Sequence, residues 1–348
     1  MARAKGGRSK LLTITIGCFS AILLIIGIAG IMVVWAGLSY RGLGDPTSEE
    51  AAMTITVGDE AVSPADTPPP GTDLATLSPG EFPAVHRNVS PVRLDIKLSE
   101  GQFEILPGPP GSDITVDGRY ATNYYELIED RTEDAHGKQV SLHLKPTASW
   151  FTRIIAGLTN INDEHPNNLT VYIPPDVPID LSLVLDSGES RVELGGLTLT
   201  NLEADLSKGE FRLSFDEPLM AALPRMSLSM QMGDGRISGL GNAQAEDITI
   251  DTGMGDFRLS LAGDWPANSE SRMKVNHSMG DLTLTIPSAI HIADDSSSTV
   301  MMGGTQGRMH DSEKYPVAAD AATLHLNVHT SMGGVNVRRS RSPSSDGG

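Results

Sequence analysis

The sequence predicts an all-β protein: a parallel, β-helix-like solenoid standing outside the cytoplasm on one N-terminal transmembrane helix. Three observations carry that prediction. The composition is rich in turn formers and poor in aromatics, with 36 Gly, 22 Pro and 5% aromatic residues, which suits short strands joined by tight corners. A short motif recurs, as "DTGMGDFRLSL" from Asp251 to Leu261, "VNHSMGDLTLTIP" from Val275 to Pro287 and "HTSMGGVNV" from His329 to Val337. Finally, a long uncharged segment sits close to the N-terminus.

Taken in order, residues 1–10 form a basic tail containing Arg3, Lys5, Arg8 and Lys10. Residues 11–38 carry no charged side chain, and a helix of that length exceeds the roughly 30 Å hydrocarbon core, so it can span with tilt. Trp35 and Tyr40 suit the interface. A cleavable signal is disfavoured because its apolar region is typically about 7 to 15 residues and a small-residue cleavage site should follow. The cations before the helix and Asp45, Glu49 and Glu50 after it place the N-terminus in the cytoplasm and the rest outside it. Cys18, the single cysteine, lies inside the apolar run and reads as a lipid-facing residue; no intramolecular disulfide can form. Gly17 and Ala21 make a small-xxx-small pair compatible with helix dimerisation, so a homo-oligomer stays open.

Residues 39–87 read as a disordered linker, since their Pro, acidic and small polar residues cannot bury enough apolar surface to offset chain entropy. The Thr-Ile-Thr-Val alternation near Met53 to Val57 is the competing reading, a strand. Residues 88–338 form the solenoid ectodomain, and 339–348 a disordered tail. The net charge of −18 makes the protein a poor partner for phosphate backbones, so no nucleic-acid partner is expected.

Within the ectodomain, aligning the repeats on one glycine gives Gly188, Gly209, Gly233, Gly255, Gly280, Gly303 and Gly333, at steps of 21, 24, 22, 25, 23 and 30 residues. That period is a solenoid period. After each glycine comes acid, apolar, Arg or Thr, apolar, polar, apolar, most clearly in "GEFRLSF" and "GDFRLSL"; the Gly303 copy "GGTQGRM" is degenerate. Alternation of this kind gives one core face and one wet face. The glycine reads as a corner that permits a positive φ. Met-Gly could also serve as a two-residue hairpin turn, which would make the pairing antiparallel.

Stacking coils about 4.8 Å apart would line up Glu189, Glu210, Asp234, Asp256 and Asp281 in one column and Arg191, Arg212, Arg236 and Arg258 in another. The guanidinium column offsets repulsion in the acid column. A row of calcium sites is disfavoured, since calcium-binding β-rolls carry a denser Gly-Asp pattern. Met232, Met254, Met279, Met302 and Met332 each precede a repeat glycine and read as flexible gap-fillers inside the corner instead of Cu(I) ligands. No metal and no cofactor is therefore expected.

His325 and His329 alternate on a strand and should lie about 13 Å apart at the surface. The acid pairs Asp294-Asp295 and Glu129-Asp130 read as solvated loop. Motifs for zinc proteases, serine nucleophiles and nucleotide loops are absent from the sequence, and nothing selects an enzyme. Between "VSLHLK" and "NLTVYIP", Trp150, Phe151, Ile154, Ile155 and Leu158 recur at helical spacing. They read as a helix capping the core's open end, with a partner-contact patch as the sharper alternative.

The stretches Leu94 to Gly118 and Asn167 to Phe215, together with the later Gly-Asp copies, resemble the bacterial putative-adhesin or toast-rack β-solenoid domains, also found in cell-wall-active antibiotic response proteins. The resemblance covers roughly Val92 to Val337. It implies a membrane-tethered, extracytoplasmic scaffold with no catalytic residues to carry over. The chain departs from the stress-response members in having one N-terminal helix instead of several. The expected function is an adhesin-like binding or scaffold module of the cell envelope that meets an envelope protein or glycan. The rivals are an envelope-stress sensor that captures cationic peptides and an enzyme whose site is too scattered to see in sequence.

Overall fold

The computed structural model describes residues 48–56, 91–134, 137–149, 167–302 and 317–340. The chain divides into two units. The smaller includes Ala121–Tyr125, where the Tyr124 amide donates to the Ala121 carbonyl at 3.0 Å and the Thr147 amide to the Tyr124 carbonyl at 2.9 Å. The larger comprises Glu49–Tyr120, Glu126–Lys145 and His165–Gly348 and contains the repeats.

The described residues are all-β apart from a 3-10 turn at Leu240–Ala243. The early strands are β1 (Ser48–Ile55), β2 (Val92–Pro107), β3 (Ile114–Ala121), β4 (Tyr125–Asp134), β5 (Gly137–Pro146) and β6 (Asn168–Ile173). The repeats supply β7 (Ile179–Glu193), β8 (Leu199–Ser214), β9 (Arg225–Ser238), β10 (Asp247–Met254), β11 (Phe257–Ser260) and β12 (Glu270–Pro287). The chain closes with β13 (His291–Ile292), β14 (Ser297–Met302) and β15 (Thr323–Ser340).

Pairing between repeats is parallel. Leu181 lies opposite Leu202, Leu202 opposite Met226, Met226 opposite Ile248, Ile248 opposite Met273 and Met273 opposite Leu326. Each of these side chains is buried, so every coil covers the apolar row of the next. The hairpin alternative is thereby excluded for the repeats. The antiparallel pair β3–β6 lies outside them.

Each long strand bends at its repeat glycine, and the buried positions change parity there. Leu181, Leu183 and Leu185 are buried before Gly188; Val192 and Leu194 are buried after it. A period-2 strand that turns a corner would otherwise swing its apolar face outward, and the glycine absorbs that inversion. Its φ lies between 125° and 134° at Gly188, Gly209, Gly233, Gly255, Gly280 and Gly333. The stacking adds a second constraint. A Cβ on any of these six would sit 1.8–2.0 Å from the carbonyl oxygen of the glycine in the preceding coil. Gly101 heads the same column opposite Gly188, a copy that the glycine alignment omits because its two neighbours in space are far from it in sequence.

Core packing alternates large and small along one row: Phe211 lies opposite Gly235, and Gly235 opposite Phe257. The Phe257 ring occupies the space where a Cβ of Gly235 would sit, at 2.2 Å.

Several expectations change. The coils do not stack in chain order at either end. β2 sits between β7 on one side and β5 with β6 on the other. β15 sits between β12 on one side and β13 with β14 on the other. Gly333 therefore stacks directly on Gly280, whereas Gly303 was expected between them and itself lies outside the described residues. The linker reading fails at Ser48–Ile55, which forms β1 and pairs with β3; Ala51 and Ile55 are buried, and this burial offsets the ordering cost. Strand β15 extends to Ser340, past the expected boundary at 338, and Arg339 donates to the carbonyls of Pro287 and Ile290 at 3.0 and 3.1 Å. Glu129 and Asp130 lie within β4, not in a loop, and Glu129 pairs with Arg131. Among the described residues, no helix is long and apolar enough to cross a membrane; residues 11–38 lie outside them.

Candidate binding face

The strand arms that precede the glycines turn alternate side chains outward, and two of the outward rows line a groove of about 710 Å³. In one row Arg225 lies opposite Asp247, Asp247 opposite Arg272 and Arg272 opposite His325. In the other, Glu203, Ser227, Thr249, Lys274 and Asn327 follow one another across five coils. The floor shows Ile248, Met273 and Leu326 between the rows. The lining carries three cations, Arg225, Arg272 and Lys274, and three carboxylates, Glu203, Asp247 and Asp295, a balanced set in an otherwise acidic chain.

The Arg272–Asp247 contact is 3.7 Å long with both side chains more than half exposed, so it contributes little to folding and leaves the guanidinium free to donate elsewhere. His325 donates from Nδ1 to the Asp295 carboxylate at 2.8 Å, which fixes the ring at the groove's end. An imidazole held by a carboxylate suggests half of a nucleophilic relay. However, the hydroxyls on this face are Thr249 and Ser227, two and three strand spacings away, or about 10 and 14 Å, beyond proton-transfer reach. Among the described residues no cluster of three or more His, Cys, Asp or Glu side chains could hold a metal ion. The face can offer donors and acceptors in a repeating array, which is chemistry for recognition.

The two charged columns expected after the glycines are present. Arg191, Arg212, Arg236 and Arg258 lie in register, and Arg212 pairs with Glu210. The acids have a further role. Asp234 accepts the Asp256 amide at 3.0 Å, Asp256 the Asp281 amide and Asp281 the Gly334 amide, each at 3.2 Å. Each carboxylate thus satisfies an amide that the bent ladder leaves unpaired. Further along, Glu193 accepts the amides of Gly195 and Asp216 at 2.8 and 2.9 Å, and its charge raises the pKa of Asp216.

The methionines overturn the gap-filling expectation. Met232, Met254, Met279 and Met332 are 51%, 48%, 39% and 44% exposed. The parity change at the corner carries the residue before each glycine to the outside, so they cannot fill the interior. Inside, the row Leu206, Met230, Thr252, His277, Thr330 turns from apolar to polar along the stack. His277 Nδ1 and Thr252 Oγ1 hydrogen-bond at 2.7 Å. Burial lowers the His277 pKa, opposed by the Gly280 backbone and the carboxylates of Asp256 and Asp281.

Of the residues singled out from sequence, the six described repeat glycines are brought together as one corner column. Trp150, Phe151, Ile154, Ile155 and Leu158 lie outside the described residues. The groove was missed: its positions recur eight and six residues before successive repeat glycines, but the residue types at those positions do not repeat.

These features define a class of protein, a repeat β fold whose coils present polar side chains on their outward rows. Residues 85–224 match the family model described as the N-terminal domain of toast_rack, DUF2154. Among solved structures, the chain is similar to a putative cell adhesion protein from Clostridium sporogenes, at 8% identity, over 84% of this chain and 100% of that one, with a TM-score of 0.38. No curated protein matches the chain.

Proposed function

We propose that the protein is a non-enzymatic, adhesin-like binding or scaffold module of the cell envelope, held at the membrane by residues 11–38 with its β domain outside the cytoplasm. The observation that carries this reading is the groove: two polar rows crossing four and five coils, with Arg225, Arg272 and Lys274 set among Glu203, Asp247 and Asp295 on one face. An extended glycan or peptide can engage such an array coil by coil, each contact being weak and the sum specific. The test uses the full chain in lipid nanodiscs and isolated envelope fragments as bait. Replacing Arg225, Arg272 and Lys274 together by Gln should reduce retention at least tenfold while leaving the melting temperature unchanged. Undiminished retention by this variant overturns the groove as the binding face.

The second reading, an envelope-stress sensor for cationic peptides, is favoured by the net charge of −18 and by the acid column. It predicts the opposite result. The same triple variant, having lost three positive charges, should capture a cationic peptide more strongly, and added salt should abolish the capture.

A further inference from the structure

We infer that Met232, Met254, Met279 and Met332 form a thioether site for a soft monovalent metal ion, Cu(I) or Ag(I), on an outer edge of the coil stack. The inference is independent of the groove. Met232 lies opposite Met254, Met254 opposite Met279 and Met279 opposite Met332. Neighbouring parallel strands are about 4.8 Å apart. Each thioether ends a side chain with three rotatable bonds, so two adjacent sulfurs can close on one ion and a third can complete its coordination.

Packing does not require methionine here. All four side chains are well exposed, and the same column in the earlier coils holds Glu100, Ser187 and Lys208. The position therefore accepts acidic, neutral and basic residues, and then carries methionine in five successive strands, the last being Met302 opposite Met332. The surroundings favour a cation. Two residues along, beyond a glycine with no side chain to intervene, the carboxylates of Asp234, Asp256 and Asp281 are held at the corner by the amides of the next coil. These carboxylates, two residues along the chain from the methionines, attract positive charge to this edge. Thioethers are soft donors, which select Cu(I) over Zn(II), Ca(II) or Mg(II).

An apolar segment of another protein is the competing occupant, and leucine separates the two because it keeps the apolar area and lacks the sulfur. The experiment titrates the full chain in nanodiscs with Cu(I) under a reducing atmosphere against a chromogenic Cu(I) chelator, with Ag(I) as a redox-silent check. Wild type should withdraw Cu(I) from the chelator. X-ray absorption of the complex should show sulfur in the first coordination shell. The Met254→Leu, Met279→Leu double variant should bind at least tenfold more weakly, with an unchanged melting temperature in the absence of metal. Failure of wild type to compete, equal affinity in the double variant, or a shell of nitrogen and oxygen alone overturns the site. A double variant that has lost its metal-free stability is replaced by the single Met254→Leu and Met279→Leu variants, for which an at least threefold loss is expected and unchanged affinity in both overturns the site.

Discussion

His277 occupies an inward position that Leu206 and Met230 fill in earlier coils, and its buried Nε2 has no hydrogen-bond partner among the described residues. A folded pKa below the ordinary 6.5 means that the unfolded chain takes up a proton which the fold refuses. Stability is then complete above about pH 6.5 and falls as the pH drops toward the folded pKa. The His277→Leu variant should flatten the curve of melting temperature against pH between 7 and 5. A fall as steep as in wild type places the acid sensitivity elsewhere. The glycine column makes the second residue-level prediction. Gly209→Ala sets a Cβ 1.8 Å from the Gly188 carbonyl at a φ of 134°, and should destabilise by more than about 3 kcal/mol in urea unfolding. Gly111, with a φ of 72° and nothing within 4 Å, has only its backbone conformation to lose, and Gly111→Ala should cost about 1 kcal/mol. The role of these glycines was legible in sequence because their requirement is absolute and periodic. The outward placement of Met232 and its counterparts was not legible. Strict alternation cannot reveal a parity change, and the change has already set in at Met232, which is exposed two residues after buried Met230.

At the level of the strands, the row of guanidinium groups lies two residues from the row of carboxylates, and both follow the parallel register. Replacing Arg212, Arg236 and Arg258 together by Gln removes the screening cations from an exposed acid row. The melting temperature should therefore fall more at low salt than at high salt; an equal fall at both would show that the ladder is held by packing alone. The acid row should survive the substitution, since Asp234, Asp256 and Asp281 are also held by backbone amides. The columns were legible because one spacing generates all of them. The groove was not, because its outward row reads Arg225, Asp247, Arg272 and His325. An exposed position is constrained by what it meets in solution, and a single chain gives no pattern for that. Strand β1 shows the reverse case, where two buried side chains, Ala51 and Ile55, outweigh a composition that favours disorder.

For the larger unit as a whole, the sequence period determined the coil spacing but not the coil order. Strands β14 and β15 both carry a Met that precedes a glycine in the sequence, Met302 and Met332, and either could have followed β12. The longer strand won: β15 pairs with β12 along its full length, from Glu270 opposite Thr323 to Pro287 opposite Ser340, while β14 pairs over six residues at most. Chains ending at residue 322 should elute as aggregates in size-exclusion chromatography, and chains ending at 340 should elute with the full-length protein. Normal elution of the shorter chain would show that the fold closes without its last strand. The inserted position of β15 has a consequence for biosynthesis. Until the ribosome or the export machinery delivers the final strand, β12 presents a row of bare amides and carbonyls, and β13 and β14 have nothing to join. Any chaperone that guards this protein has its task at the trailing end of the nascent chain, in the interval before the keystone arrives.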